Sequence, residues 1–466
     1  MDQLEKIVKT ANTLPFNAIS EEALNATKKD ILDTIGCIFA GVNAEGTNEL
    51  FQVVSDWGGK QESTILYHGI KVPAPLAVLV NSTLAHARDL DDTHDAAVLH
   101  AGISVIPAAL AAAERAGGCD GKLFLKAVTL GLDLLCRLGK ATTIGPNSLG
   151  LAFTPMYAYF ASALTAGLIL KLKDEELVNA IGITLSQVAG TVQAVSDAAL
   201  TKRIQPAFGA QAGIAAAILA QQGITGARNV FNGQFSFPKV YLNGHFDYDV
   251  FLDSYGEFFE NENLSFKPYP CCRFTHPAID AALLLREEHQ INVEEIEEII
   301  VDVTQQANIV CEPVERRRTP QVIVDAQFSI PYTVAVALVK GKIFIEDFTG
   351  EAISEKRVLN ISNRVTTRYD ESLGNRGISP AIVTIKMKNQ KIYQKRVDYP
   401  KGSINNSMSY EEIIEKFVRC SKLPANPIPQ ENIAAVIKMV TNMEKEENIL
   451  TLSGLLTPAK GEILSQ

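Results

Sequence analysis

The chain has no positive charge to spare. Its 43 Lys and Arg stand against 53 Asp and Glu, a formal net charge of -10, so it offers no basic field to nucleic acid. It also lacks long apolar runs. None approaches the roughly 18 residues that span a bilayer, and the first residues, Met1-Asp2-Gln3-Leu4-Glu5-Lys6, do not lead into an apolar signal core. A soluble, cytoplasmic protein with neither membrane nor nucleic acid as partner is expected. CxxC spacing is missing too: the seven cysteines, Cys37, Cys119, Cys136, Cys271, Cys272, Cys311 and Cys420, are odd in number and scattered. That suits reduced thiols better than a disulfide framework or a zinc site. The adjacent pair Cys271-Cys272 reads as small side chains lining a site rather than as a nucleophile. No Walker loop, no GxGxxG after a strand and no GxSxG elbow occurs, so phosphate-cofactor and serine-hydrolase chemistry lose their usual carriers. There is no low-complexity tract and no internal repeat.

What is present is apolar and helical. Hydrophobic residues make up 47% of 466 positions, ample for two or three domains at about 150 residues each. Ser20-Glu-Glu-Ala-Leu is an N-cap with first-turn acids, opening a helix that stops at Gly41. Helical spacing then recurs over Leu76 to Ala87, Val105 to Ala116, Lys122 to Leu138, Tyr157 to Leu170, a stretch capped by Asp174, and the Ala-rich Gln211 to Gln221. No strand-like alternation interrupts roughly the first 220 residues. Beyond about residue 290 the texture changes: Ile296 to Val303 reads as a strand, and Val383 to Met387 with Ile392 to Val397 as a hairpin turning at Asn389-Gln390. Ser329 to Val339 is helical between them, and Tyr410 to Cys420 and Asn432 to Glu444 return to helix. The expected fold is mainly α, a large all-helical body (1–270 plus 404–466) with a smaller α+β lid domain (271–403).

The chemistry gathers first at Asp89-Leu-Asp-Asp-Thr-His-Asp-Ala-Ala-Val-Leu-His100, between two apolar helices. Three readings compete. The segment reads as a solvated, capped helix junction, as a DDxxD-type magnesium site for a diphosphate, or as a metal-free acid-base site for a polycarboxylate. The diphosphate reading needs a second acidic motif, and no convincing one is found. Two further stretches add cations. Lys202-Arg203, ahead of Pro206 as a helix start, form a carboxylate-binding corner, although a surface Lys-Arg pair is the commoner case. Lys267-Pro-Tyr-Pro-Cys-Cys-Arg-Phe-Thr-His276-Pro places cations and an imidazole at the domain boundary, where clefts usually form.

Taken in order, Asp89-Leu-Asp-Asp-Thr93 with His100, Pro107 to Glu114, Gly131 to Gly139 with Arg137, Thr201-Lys-Arg-Ile204, Gly223-Ile-Thr-Gly226 and Lys267 to His276 resemble the MmgE/PrpD family. The likeness runs over nearly the whole chain. It implies an all-helical body, an α+β lid, a homodimer, and a site without metal or organic cofactor between body and lid. Matching family positions are Asp89, Thr93, His100, Lys202 and His276. One position departs: Phe153-Thr154-Pro155 stands where several members have Phe-His-Pro.

Family activities include dehydration, decarboxylation and epimerisation of small di- and tricarboxylates, all of which develop negative charge on a carbon beside a carboxylate. The resemblance thus implies a hydro-lyase such as 2-methylcitrate dehydratase first, an epimerase of an aspartate-derived diacid second, and a cis-aconitate decarboxylase third, since Thr154 cannot carry an imidazole's charge. Lys202 is the expected charge stabiliser. His100 and His276 are the expected acid and base, and Asp89 orients a histidine or binds substrate. Thr93 and Thr154 are expected to donate hydrogen bonds, and Arg203 and Arg273 to anchor carboxylates in two-point geometry.

Overall fold

Helix Phe153–Ile169 is apolar at nearly every position, and every one of its residues is buried. A helix apolar all round belongs at the centre of a bundle. In the computed structural model, which describes residues 3–374 and 378–458, it packs against Gly102–Arg115, Gly121–Ala141, Asp174–Thr184 and Thr201–Gln221. The last of these lies very close: a Cβ on Gly209 would stand 2.6 Å from the Pro155 carbonyl oxygen, and one on Gly213 2.7 Å from Ser162 Cβ. The Ala- and Gly-rich sequence is what lets the two backbones approach.

The chain divides into two compact units, one of Met1–Ala87, Asp91–Leu264 and Ser409–Gln466, the other of Arg88–Leu90 with Ser265–Met408. The first unit is helical. Ser20 caps Glu21–Gly41, its Oγ accepting the Ala23 N–H at 3.1 Å. Gln3–Thr13, Thr47–Trp57, Ala74–His86, Tyr410–Ser421 and Gln430–Thr441 are further helices of this unit.

Three details differ from the sequence expectation. Helix Thr201–Gln221 begins well before Gln211, with Pro206 inside it; a proline near the N-terminus forfeits one hydrogen bond and keeps a helical φ. Asp174 is the first helical residue rather than the cap, and its carboxylate accepts from Asn12 Nδ2 at 2.6 Å. A short ladder, Ser63–Thr64 with Lys71–Val72, interrupts the helices. Glu114 holds it, accepting from the Thr64 N–H at 2.7 Å and the Thr64 hydroxyl at 2.6 Å. Arg137 is likewise structural: Nε lies 2.8 Å from Asp133 Oδ1, and the two terminal nitrogens donate to the carbonyls of Asp253 and Phe258.

The second unit holds a four-stranded sheet in the order Val365–Tyr369, Ile296–Val303, Ala381–Met387, Ile392–Val397. The first pair is parallel and the others antiparallel. The expected hairpin turns through Gln390 at φ +68, with the Asn389 side chain accepting the Lys391 N–H. Helix His276–His289 packs on the two hairpin strands. Helix Ile330–Lys340 is capped by Ser329, whose Oγ accepts the Tyr332 N–H at 2.9 Å. Mainly α with a smaller α+β part is therefore the architecture. No helix among the described residues is long and apolar enough to cross a membrane.

Candidate active site

In the first unit the site grows from the loop after Ala74–His86. Asp92 accepts from the N–H groups of Ala101 at 2.9 Å and Gly102 at 3.1 Å, capping helix Gly102–Arg115 through its side chain. Only glycine fits there, since a Cβ on Gly102 would stand 2.5 Å from both Asp30 Oδ1 and Thr34 Oγ1. A bridge between His94 and Leu99 closes the intervening loop, with Val98 at its tip at φ +53. Thr93 thus lies at one end of the loop and His100 at the other. The Thr93 hydroxyl donates to Asp95 Oδ1 at 2.8 Å. Thr154, on helix Phe153–Ile169, accepts the His100 N–H on its Oγ1 at 3.1 Å.

These anchors fix His100. Its Nδ1 lies 2.7 Å from the Asp92 carbonyl oxygen and 3.1 Å from Asp91 Oδ2. A carbonyl and a carboxylate only accept, so Nδ1 carries the hydrogen and the lone pair of the neutral ring sits on Nε2, an assignment made from the partners. Asp91 Oδ2 also lies 2.8 Å from His86 Nδ1. His86 was not singled out from sequence, and Asp91 only as the first acid of the DDxxD-type reading; the signal available for His86 was a histidine three residues ahead of Asp89.

The surrounding carboxyls are mostly buried. Burial, then the neighbouring Asp91 charge, pushes Asp92 up to about 7; burial, then Asp92, pushes Asp30 well above the usual range. Lys416 Nζ pairs with Asp33 at 2.6 Å. In the DDxxD-like stretch, Asp92 is thus committed to a helix start and Asp91 to imidazoles. Among the described residues no three His, Cys, Asp or Glu side chains are grouped to hold a metal ion. His94 is buried, its Nε2 3.5 Å from Glu260.

Lys202 stands in the first turn of helix Thr201–Gln221, half-buried, within the positive end of the helix dipole rather than ahead of it. Arg203 beside it is buried and donates to the Glu45 carbonyl oxygen.

The second unit holds the remaining expected residues. Asp89 has φ +55, a left-handed conformation that aspartate tolerates better than most side chains. Its Oδ1 accepts from Lys267 Nζ at 2.7 Å and its carbonyl oxygen at 3.1 Å. Lys267 is fully buried; it opened the Lys267 to His276 stretch in the sequence but was not named there as a site residue. The Arg273 guanidinium donates to the Lys401 carbonyl at 3.0 Å and to His276 Nδ1 at 3.1 Å. A guanidinium cannot accept, so His276 carries its hydrogen on Nε2, 3.3 Å from the Cys271 carbonyl oxygen. Burial, then the Arg273 and Lys267 charges, holds the His276 imidazole well below its ordinary pKa. Burial likewise pushes the Cys271 thiol up. The described cysteines are all free.

Comparison with known proteins covers nearly the whole of this architecture. The cis-aconitate decarboxylase of Aspergillus terreus (strain NIH 2624 / FGSC A1156) is 24% identical, over 97% of this chain and 96% of the relative. That of Homo sapiens is 26% identical, over 99% and 96%; that of Mus musculus is 22% identical, over 95% and 91%. The MmgE/PrpD N-terminal domain matches residues 5–249 and the MmgE/PrpD C-terminal domain residues 269–442. With both domains matched in order, the helical one carrying His100 and Lys202 and the other carrying Arg273 and His276, the chain belongs to the MmgE/PrpD family.

Proposed function

We propose that this protein is a lyase that acts on a small di- or tricarboxylate without metal or organic cofactor, most simply a hydro-lyase of the 2-methylcitrate dehydratase kind. The observation that carries the reading is the fixed tautomer of His100, which leaves a basic Nε2 on the most solvent-accessible imidazole of its cluster. In this reading Nε2 removes a proton from the carbon beside a substrate carboxylate, and the Asp91 carboxylate 3.1 Å from Nδ1 stabilises the imidazolium that forms. The Lys202 ammonium, aided by the helix end it sits on, stabilises the charge that develops on the carboxylate. The neighbouring C–O bond then breaks, and the departing hydroxyl leaves as water by taking the proton held on His100 Nε2, which restores the neutral ring.

The second unit by itself carries buried positive charge at Lys267 and Arg273. Arg273 is a proposed carboxylate anchor on its charge, and Lys267 orders Asp89 through their 2.7 Å contact. His276, engaged at both nitrogens, positions Arg273 in place of the acid-base role expected from sequence. Thr93 orients the loop that presents His100, and Thr154 holds the His100 main chain. Arg203 secures the start of its helix through the Glu45 carbonyl. A cytoplasmic homodimer belongs to the same proposal, on the family likeness alone.

A second reading, decarboxylation of cis-aconitate, is favoured by the names of the relatives. Against it stands Thr154, whose hydroxyl is bonded to a backbone N–H and offers no charge to a departing carboxylate. The test is incubation of EDTA-treated protein with citrate, 2-methylcitrate, the aconitates and aspartate-derived diacids. Loss of water from a hydroxy acid supports the proposal. Carbon dioxide and itaconate from cis-aconitate support the second reading, and change in stereochemistry alone supports an epimerase.

A further inference from the structure

We infer that His86 is a positioning residue that sets the basicity of His100 through the carboxylate the two share. The inference rests on the reading that His100 exchanges a proton with substrate. Both Nδ1 atoms lie near one atom, Asp91 Oδ2, at 2.8 Å for His86 and 3.1 Å for His100, whose Nδ1 also bonds the Asp92 carbonyl oxygen at 2.7 Å. Their ring centroids are 5.1 Å apart. The His86 side chain is 4% exposed, that of His100 20%, and that of Asp91 fully buried. Proton exchange therefore falls to His100, and His86 acts from behind Asp91.

A carboxylate oxygen that serves one imidazole holds its proton firmly; one divided between two donors gives less of its charge to each. His86 is also the last residue of helix Ala74–His86, where the negative end of the helix dipole favours the ring N–H as a donor. Each increment of charge that His86 draws from Asp91 loosens the hold of Asp91 on the His100 proton. The result is a base that can both take a proton and return it within one turnover.

The other titratable groups around the trio do not replace Asp91 in this role. Asp33, on Glu21–Gly41, is matched by Lys416 on Tyr410–Ser421. Asp30 and Asp92 are pushed toward their neutral forms by burial first. Burial likewise keeps the thiols of Cys37 and Cys136 uncharged. Thr154, the partner from helix Phe153–Ile169, does not titrate in water.

The experiment is a pH titration of the imidazole resonances of protein labelled with isotopic histidine, His100 being identified by its loss in His100→Gln. Removing the competing donor in His86→Phe should raise the His100 midpoint by about one pH unit, and the acid limb of kcat/KM should move up with it. In His86→Gln, whose amide can still donate to Asp91, the midpoint should return toward that of the unaltered protein. Asp91→Asn should lower it. A midpoint that stays in place or falls in His86→Phe overturns the inference; if that variant does not fold, a midpoint in Asp91→Asn that fails to fall does so. The titration needs no substrate. Shifted midpoints without turnover of any carboxylate would count against the proposed reaction alone, and turnover with unshifted midpoints against the role of His86 alone.

Discussion

Lys267 Nζ lies 2.7 Å from Asp89 Oδ1, with both side chains out of solvent and Asp89 in a left-handed backbone conformation. Breaking such a pair leaves one buried charge without its partner. Asp89→Asn or Lys267→Met alone should each destabilise the protein by about 3 to 5 kcal/mol. The double variant should recover a large part of that loss, because two uncharged groups no longer require each other. Urea unfolding of the three variants checks this; a double variant whose loss equals the sum of the two singles would show that the pair is not coupled.

Asp92 makes stability depend on pH in an unusual direction. Its carboxyl lies near 7 in the folded protein against an ordinary 3.8, chiefly because it is buried. As pH rises from about 4, the unfolded chain gives up this proton first, so the folded state binds more protons and its stability falls until about pH 7. Glu260 works oppositely: burial raises its carboxyl, but the nearby His94 imidazole and hydrogen bonds from Lys140 and Asn263 outweigh this and hold it at about 2. Its contribution is present above 4.5 and is lost as pH falls toward 2. The stability difference between the unaltered protein and Asp92→Asn should therefore shrink or change sign between pH 4 and 7, and a flat difference would remove the assigned role of Asp92.

Lys202 is half-buried in the first turn of its helix. Lys202→Ala should lower kcat/KM about a hundredfold or more, the scale of removing an electrostatic stabiliser, while thermal unfolding changes little. EDTA should leave the activity of the unaltered protein intact. Activity lost to EDTA and restored by magnesium would instead support the diphosphate chemistry first weighed for the Asp89 to His100 stretch.

Thr154 supplies the acceptor for the His100 N–H. Thr154→Val, of nearly equal shape, should cost about 1 to 3 kcal/mol by leaving that donor unsatisfied, and Thr154→Ser should cost far less. Equal unfolding midpoints for the two variants would show that the hydroxyl does not hold His100.

Much of this was legible in the residues. The apolar periodicity from Leu76 onward marks the helical unit, because buried helices must be apolar over most of their surface. Period-two alternation marks Ile296 to Val303 and the hairpin. The cluster of acids and imidazoles at 89–100 marks the candidate site. Other features depend on partners far along the chain, and no local pattern records them. Pro206 reads as a helix start because proline favours the first turn, yet the packing of Gly209 and Gly213 carries the helix back to Thr201. His276 reads as an acid or base until its two nitrogens are found on Arg273 and Cys271. Lys267, His86 and Asp91 gain their importance from Asp89 and His100, which are the residues they order.

The most direct measurement of the central claim follows the substrate carbon itself. Purified protein stripped of metal is incubated in heavy water with each acid of the carboxylate panel, and deuterium incorporation and product are read by NMR. At least one acid should take up deuterium at the carbon beside a carboxylate and eliminate water, and His100→Gln should lose both by about a hundredfold or more. Undiminished exchange in His100→Gln, or no exchange and no product with any acid of the panel, would contradict that claim.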